Sequence, residues 1–174
     1  LGAHLFELFF FQVLHVGAVH ADPHWGNYLF TDDGGIGLVD FGCVKYLRPE
    51  IVAYLQSVHR YRGSIESAEF RRLLERPHEQ LGLKLSPAAR RAYLDFLGNF
   101  YCRVYWQEPE SRRGFDFSDA AFMRVYLQAG QNLFRTKGVM PEFLFLARAE
   151  MGLYQTLHRL KARVPTSQIV RKYL

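Results

Sequence analysis

Cysteine is nearly missing from this 174-residue chain: there are two, Cys43 and Cys102, without metal-ligand spacing and without a secretory leader before them. That excludes a disulfide-stapled miniprotein and points to a reduced, cytoplasmic setting. No run of eighteen uncharged apolar residues occurs, which excludes a spanning helix. Internal repeats, low-complexity tracts and interdomain linkers are also missing. Methionine is scarce, with three in the chain, and residue 1 is Leu. The stretch from Leu1 to Val16 already reads as a buried helix, so the chain is expected to begin inside a larger protein.

What is present describes one globular domain. Apolar residues make up 49% and charged residues 22%, too apolar for intrinsic disorder. The net charge of +5 suits a nucleotide, an anionic membrane surface or nucleic acid, and charge alone does not choose among them. The basic residues come in scattered pairs such as Arg71 and Arg72 or Arg90 and Arg91, which read as solvated helix faces. Tyr101, Tyr105 and Trp106 beside Arg103 lack any recognisable nucleic-acid module, so they read as core and no nucleic-acid partner is expected.

The expected fold is mainly α with one small β-hairpin. From Leu5 to Val16 apolar side chains cover nearly every helix face, which predicts a helix enclosed by others. Asn27 to Phe30 and Ile36 to Val39 are β-prone runs joined by Thr31-Asp32-Asp33-Gly34-Gly35, a turn-forming sequence, and predict the hairpin. Strand signals then cease. Helices are expected from Ile51, from Ser86-Pro87 and from Ser118-Asp119, the last with Phe122, Val125, Ala129 and Leu133 inward and a stop at Gly138. Pro141 starts the last long helix, with Leu144, Met151, Tyr154 and Leu157 in its stripe. The polar tail from Arg163 to Leu174 is expected to fray, and a membrane-facing amphipathic role for Arg159 to Lys172 is the weaker alternative for that region.

Two polar clusters interrupt this apolar sequence: His20-Ala21-Asp22-Pro23-His24-Trp25-Gly26-Asn27 before the hairpin and Asp40-Phe41-Gly42 at its end. A hairpin returns the chain to its start, so Asn27 and Asp40 are expected to be neighbours. A carboxylate with an amide oxygen suits Mg²⁺, and Asp22 nearby suits the aspartate that handles the nucleophile's proton in phosphoryl transfer. A metal site built from His15, His20 and His24 is the lesser alternative.

The pattern H-x-D-x-x-x-x-N followed by D-F-G resembles the catalytic and metal-binding loops of the protein-kinase-like superfamily. Asn27 stands five residues after Asp22, and Asp40 thirteen after Asn27. Within the superfamily, His-Ala-Asp-Pro-His-Trp-Gly-Asn most resembles the UbiB/AarF/ADCK atypical kinases, whose loop reads H-A-D-P-H-P-G-N; only Trp25 departs. The resemblance implies a protein-kinase-like C-terminal lobe over residues 1–174, with the catalytic helix, loop, hairpin and D-F-G in 1–50 and a helical subdomain in 51–174. It implies ATP and Mg²⁺ as cofactors, Asp22 as catalytic aspartate and Asn27 and Asp40 as cofactor-binding metal ligands. His20, His24, Phe41 and Gly42 would support the site, with Phe41 packed in the core and Gly42 supplying backbone freedom.

Ala21 replaces the arginine that pairs with a phosphorylated activation loop, and no A-P-E motif follows, so a conventional protein-substrate kinase is disfavoured. A glycine-rich loop, a strand lysine with its glutamate partner and a K-x-G-Q segment are all missing. The resemblance therefore implies an absent N-terminal lobe as a partner, and an ATPase or small-molecule kinase linked to ubiquinone or isoprenoid-lipid metabolism. An isoprenoid lipid or membrane surface is the further partner expected, with a cytoplasmic or membrane-peripheral location. The enzyme alternative is a small-molecule phosphotransferase of the aminoglycoside or choline kinase type. The non-enzymatic alternative is a catalytically incomplete, pseudokinase-like binding module.

Overall fold

A computed structural model of the chain describes residues 1–80, 84–106, 114–135 and 141–174, leaving out the side chains of residues 78–80, 102, 133 and 134. Among these, the expected inward Leu133, the helix stop at Gly138 and the thiol of Cys102 lie outside the described residues.

The first helix, α1 (Gly2–Phe10), continues as a π-helical stretch over Phe11–Val16 and stops at Gly17, whose φ of 72° is the left-handed geometry that glycine adopts without steric cost. Phe6, Phe10, Val13 and Leu14 are buried, whereas Phe11 and Val16 are exposed. The helix is thus covered on one broad face and open along a stripe, a correction to the fully enclosed helix that its composition suggests.

Among the described residues, three two-stranded antiparallel sheets follow where one hairpin is expected. The hairpin is present: β2 (Tyr28–Phe30) pairs with β3 (Ile36–Leu38) in the register Tyr28↔Leu38. In addition β1 (Ala18–His20) pairs with β4 (Val44–Tyr46), closing the segment between them into a loop, and β5 (Phe115–Asp116) pairs with β6 (Arg163–Val164). Strands of two and three residues are too short to show alternation, so sequence pattern does not announce them.

The remaining elements are helices: α2 (Pro49–Arg60), α3 (Ala68–Gln80), α4 (Pro87–Tyr105), α5 (Ala120–Arg135), α6 (Pro141–Arg159) and α7 (Thr166–Arg171). The expected caps form. Ser86 Oγ accepts from the Ala89 N–H at 3.3 Å, and Asp119 Oδ1 accepts from the Phe122 N–H at 2.9 Å. On α5 the buried face runs through Phe122, Met123 and Tyr126, while Val125 is 60% exposed, contrary to the expected stripe. The C-terminal segment does not fray. Val164, Ile169 and Val170 are buried, and Glu7 accepts from Lys172 Nζ at 2.7 Å and from the Tyr173 hydroxyl at 3.0 Å. Val164, Ile169 and Val170 thus belong to the core, whereas Leu160 is exposed.

One apolar core joins the elements, and α1 sits at its centre against α6, α7 and β6. It is rich in rings: Phe6, Phe10, Phe100, Tyr105, Phe117 and Tyr154 are buried, and the rings of Phe6 and Phe10 lie 4.7 Å apart. No described helix is long and apolar enough to cross a membrane.

Candidate active site

The site is built on the loop that the β1–β4 pairing closes. His20, the last residue of β1, is 5% exposed, and its Nε2 lies 2.9 Å from the backbone oxygen of Asp40. A carbonyl only accepts, so Nε2 carries the proton; Nδ1 is buried without a hydrogen-bond partner. His20 therefore ties the loop before the hairpin to the turn after it. One residue on, the Ala21 N–H donates to the Cys43 carbonyl at 3.0 Å, holding the same two segments from the backbone.

Between these ties the chain makes a short 3₁₀ turn, Trp25–Asn27, capped by His24, whose Nδ1 accepts from the Gly26 N–H at 3.1 Å. The turn folds Asn27 back under Asp22. Asn27 is 8% exposed, and its Nδ2 donates to Asp22 Oδ2 at 2.9 Å and to the Asp22 backbone oxygen at 3.3 Å. With both amide hydrogens used, Oδ1 is the group on Asn27 left to accept.

At the other end of the hairpin, the Val39 N–H donates to the Asn27 backbone oxygen at 3.0 Å, which carries Asp40 to the Asn27 end of the strands. Asp40 has φ 59°, left-handed for a residue with a side chain, and its Oδ1 accepts from the Gly42 N–H at 3.1 Å. The second carboxylate oxygen has no partner among the described residues.

The turn Phe41–Cys43 departs from expectation twice. Phe41 is 65% exposed rather than in the core, because the left-handed Asp40 swings the chain outward; its ring meets His20 edge-on at 6.4 Å. The positive φ falls on Asp40 and not on Gly42. Gly42 instead supplies an N–H and room, since a β-carbon there would stand 3.1 Å from Asp40 Oδ1.

Sequence reasoning gave no site role to α6, which nonetheless touches the loop. Arg148 Nη2 lies 3.8 Å from Asp22 Oδ1, and the Gly152 backbone packs against Pro23 so tightly that a β-carbon there would overlap the proline ring. The glycine within an otherwise regular helix was the readable signal. His15 stacks on Phe11 at 5.2 Å, and no three His, Cys, Asp or Glu side chains among the described residues are grouped to hold a metal, so His15, His20 and His24 form no centre.

Comparison with known proteins places the similarity on this segment. Residues 1–61 match the family model of the ABC1 atypical kinase-like domain. A chloroplastic aarF domain-containing protein kinase of Arabidopsis thaliana is 50% identical over 42 residues, 24% of this chain and 6% of that one. A Paramecium bursaria Chlorella virus 1 protein bearing an ABC-transporter name is 46% identical over 48 residues, 28% of this chain and 10% of that one. A Synechocystis protein is 47% identical over 45 residues, 26% of this chain and 11% of that one. The matches thus span about a tenth or less of these relatives' lengths. Helix α1, the loop from His20 to Asn27, the hairpin and the Asp40 turn all fall within the stretch that is similar to the ABC1 atypical kinase-like domain.

Proposed function

We propose that this chain supplies the catalytic-aspartate and metal-binding side of an ATP-dependent phosphotransferase or ATPase, with Asp22 as the catalytic residue and Asn27 and Asp40 as Mg²⁺ ligands. The observation that carries the reading is the Asn27 amide, which spends both hydrogens on Asp22 and keeps its oxygen free at the hairpin's base.

The donor set fits the ion. Asn27 Oδ1 and the Asp40 oxygen not bonded to Gly42 are hard oxygen donors, and Mg²⁺ takes one or two such protein groups while keeping places for phosphate oxygens and water. When bound, the ion would offset negative charge on the phosphates. The chain's own residues do the rest. Asn27 fixes Asp22 Oδ2, which orients the carboxylate to receive the proton of an attacking hydroxyl. Arg148 faces the other oxygen. His20 holds the Asp40 backbone, so the two halves of the site keep their spacing as substrate enters.

Turnover of Mg²⁺-ATP by the full-length protein tests the reading. Asp40→Asn is expected to lower it by about a hundredfold or more, since metal-borne charge stabilisation contributes several kcal/mol. Undiminished turnover overturns the assignment.

A further inference from the structure

Beside Asp22 the loop and α6 enclose a groove of about 350 Å³, within the range of small-molecule sites. One wall is His24 and Trp25; the other is the face of α6 bearing Arg148, Gln155, Thr156 and Arg159. No acidic side chain lines it among the described residues. From Arg148 to Arg159 is eleven residues of helix, about 16 Å of rise, so one guanidinium stands at the Asp22 end and the other at the far end. Arg148 is drawn toward Asp22 at 3.8 Å, whereas Arg159 is exposed and has no ion-pair partner among the described residues.

The remaining lining adds donors and a flat surface. His24 Nδ1 accepts from the Gly26 N–H, which leaves Nε2 as the ring's donor. Gln155 and Thr156 contribute an amide and a hydroxyl. Trp25 is 40% exposed, a large ring left open where the loop otherwise follows the resembled pattern. Gly152 fixes the groove's floor by letting Pro23 seat on the helix. Arginines suit carboxylate and phosphate through paired N–H donors, and an open indole suits a planar ring.

We infer that this groove binds a small planar organic anion, its ring against Trp25 and its charged group at Arg159, in position to present its other end to Asp22. The inference rests on the kinase-like reading of Asp22 and names the class of molecule that docks beside it. The same anionic chemistry could be carried by a soluble molecule or by a lipid headgroup, and the test separates them.

Binding of phenyl phosphate to the full-length protein, measured by calorimetry without nucleotide, decides the matter independently of ATP turnover. Arg159→Gln and Trp25→Ala are each expected to weaken it by about tenfold, in the range of one charge-assisted hydrogen bond or one ring stack, with an unchanged thermal midpoint in the exposed Arg159 variant. Inorganic phosphate is expected to bind more weakly than phenyl phosphate. Equal binding by wild type and Arg159→Gln overturns the inference, as does inorganic phosphate binding as tightly as phenyl phosphate. Loss of binding to phosphatidylglycerol vesicles in the variants, with phenyl phosphate unaffected, overturns it in favour of a lipid headgroup.

Discussion

The backbone of Gly152 on α6 lies directly against the ring of Pro23, close enough that no β-carbon fits between them. The residue that follows Asp22 is therefore seated on a helix whose sequence lies 129 positions away. Gly152→Ala is expected to destabilise the protein by about 1–3 kcal/mol through overpacking, despite alanine's better helix propensity. Urea unfolding checks it; a stabilised variant would show that the contact is loose.

The C-terminal segment is a structural element and not a loose end. Ile169 is 4% exposed and Val170 2%. Ile169→Ala is expected to cost about 2–5 kcal/mol, the range for deleting a buried branched side chain. Lys172→Ala, at a half-exposed ion pair with Glu7, is expected to cost about 1 kcal/mol or less. Denaturation midpoints of the two variants give the comparison directly.

The contrast between what was and was not legible follows from the physics of each signal. The hairpin, the Ser86 and Asp119 caps and the proline helix starts are local: a few adjacent residues determine them, and they appear where expected. The pairing of β1 with β4 joins residues 18–20 to 44–46 and depends on backbone groups that carry no sequence signature. The exposure of Phe41 follows from the left-handed turn at Asp40, a conformation that an aspartate does not advertise. The exposure of Val125 has another cause: on a helix carrying aromatic and aliphatic residues on several sides, spacing alone does not say which stripe faces in. At the site, residue types and spacing marked Asp22, Asn27 and Asp40, whereas the contribution of α6 required the fold.

His59 provides a pH signature. It is buried among the rings of Phe10, Tyr101 and Tyr105, and burial, reinforced by the nearby Arg62 charge, lowers its pKa to about 3. Between that value and the ordinary 6.5 the unfolded chain binds a proton that the folded chain refuses. Stability therefore falls as pH drops from about 6.5 toward 3, by up to about 1.4 kcal/mol per unit from this residue. Urea midpoints for His59→Phe are expected to lack that part of the slope.

Glu150 acts in the opposite sense. Burial raises its pKa, outweighing the hydroxyls of Tyr105, Tyr126 and Tyr154 that donate to it. The folded state holds this proton more tightly than the unfolded one, so the group's contribution to stability is lost as pH rises through the raised value. Glu150→Gln removes the titration. The stability of wild type relative to the variant is expected to decline from pH 4 to pH 8, and a constant difference would contradict the assignment.

The central claim is that Asp22 does chemistry while Asn27 and Asp40 form the metal side of the site. Asp22→Asn in the full-length protein tests it most directly, with Mg²⁺-ATP affinity and turnover measured side by side. Affinity is expected to hold while turnover falls by about 10²–10⁴-fold, the range for a lost general base. Turnover equal to wild type, with the variant folded and nucleotide bound, would contradict the account.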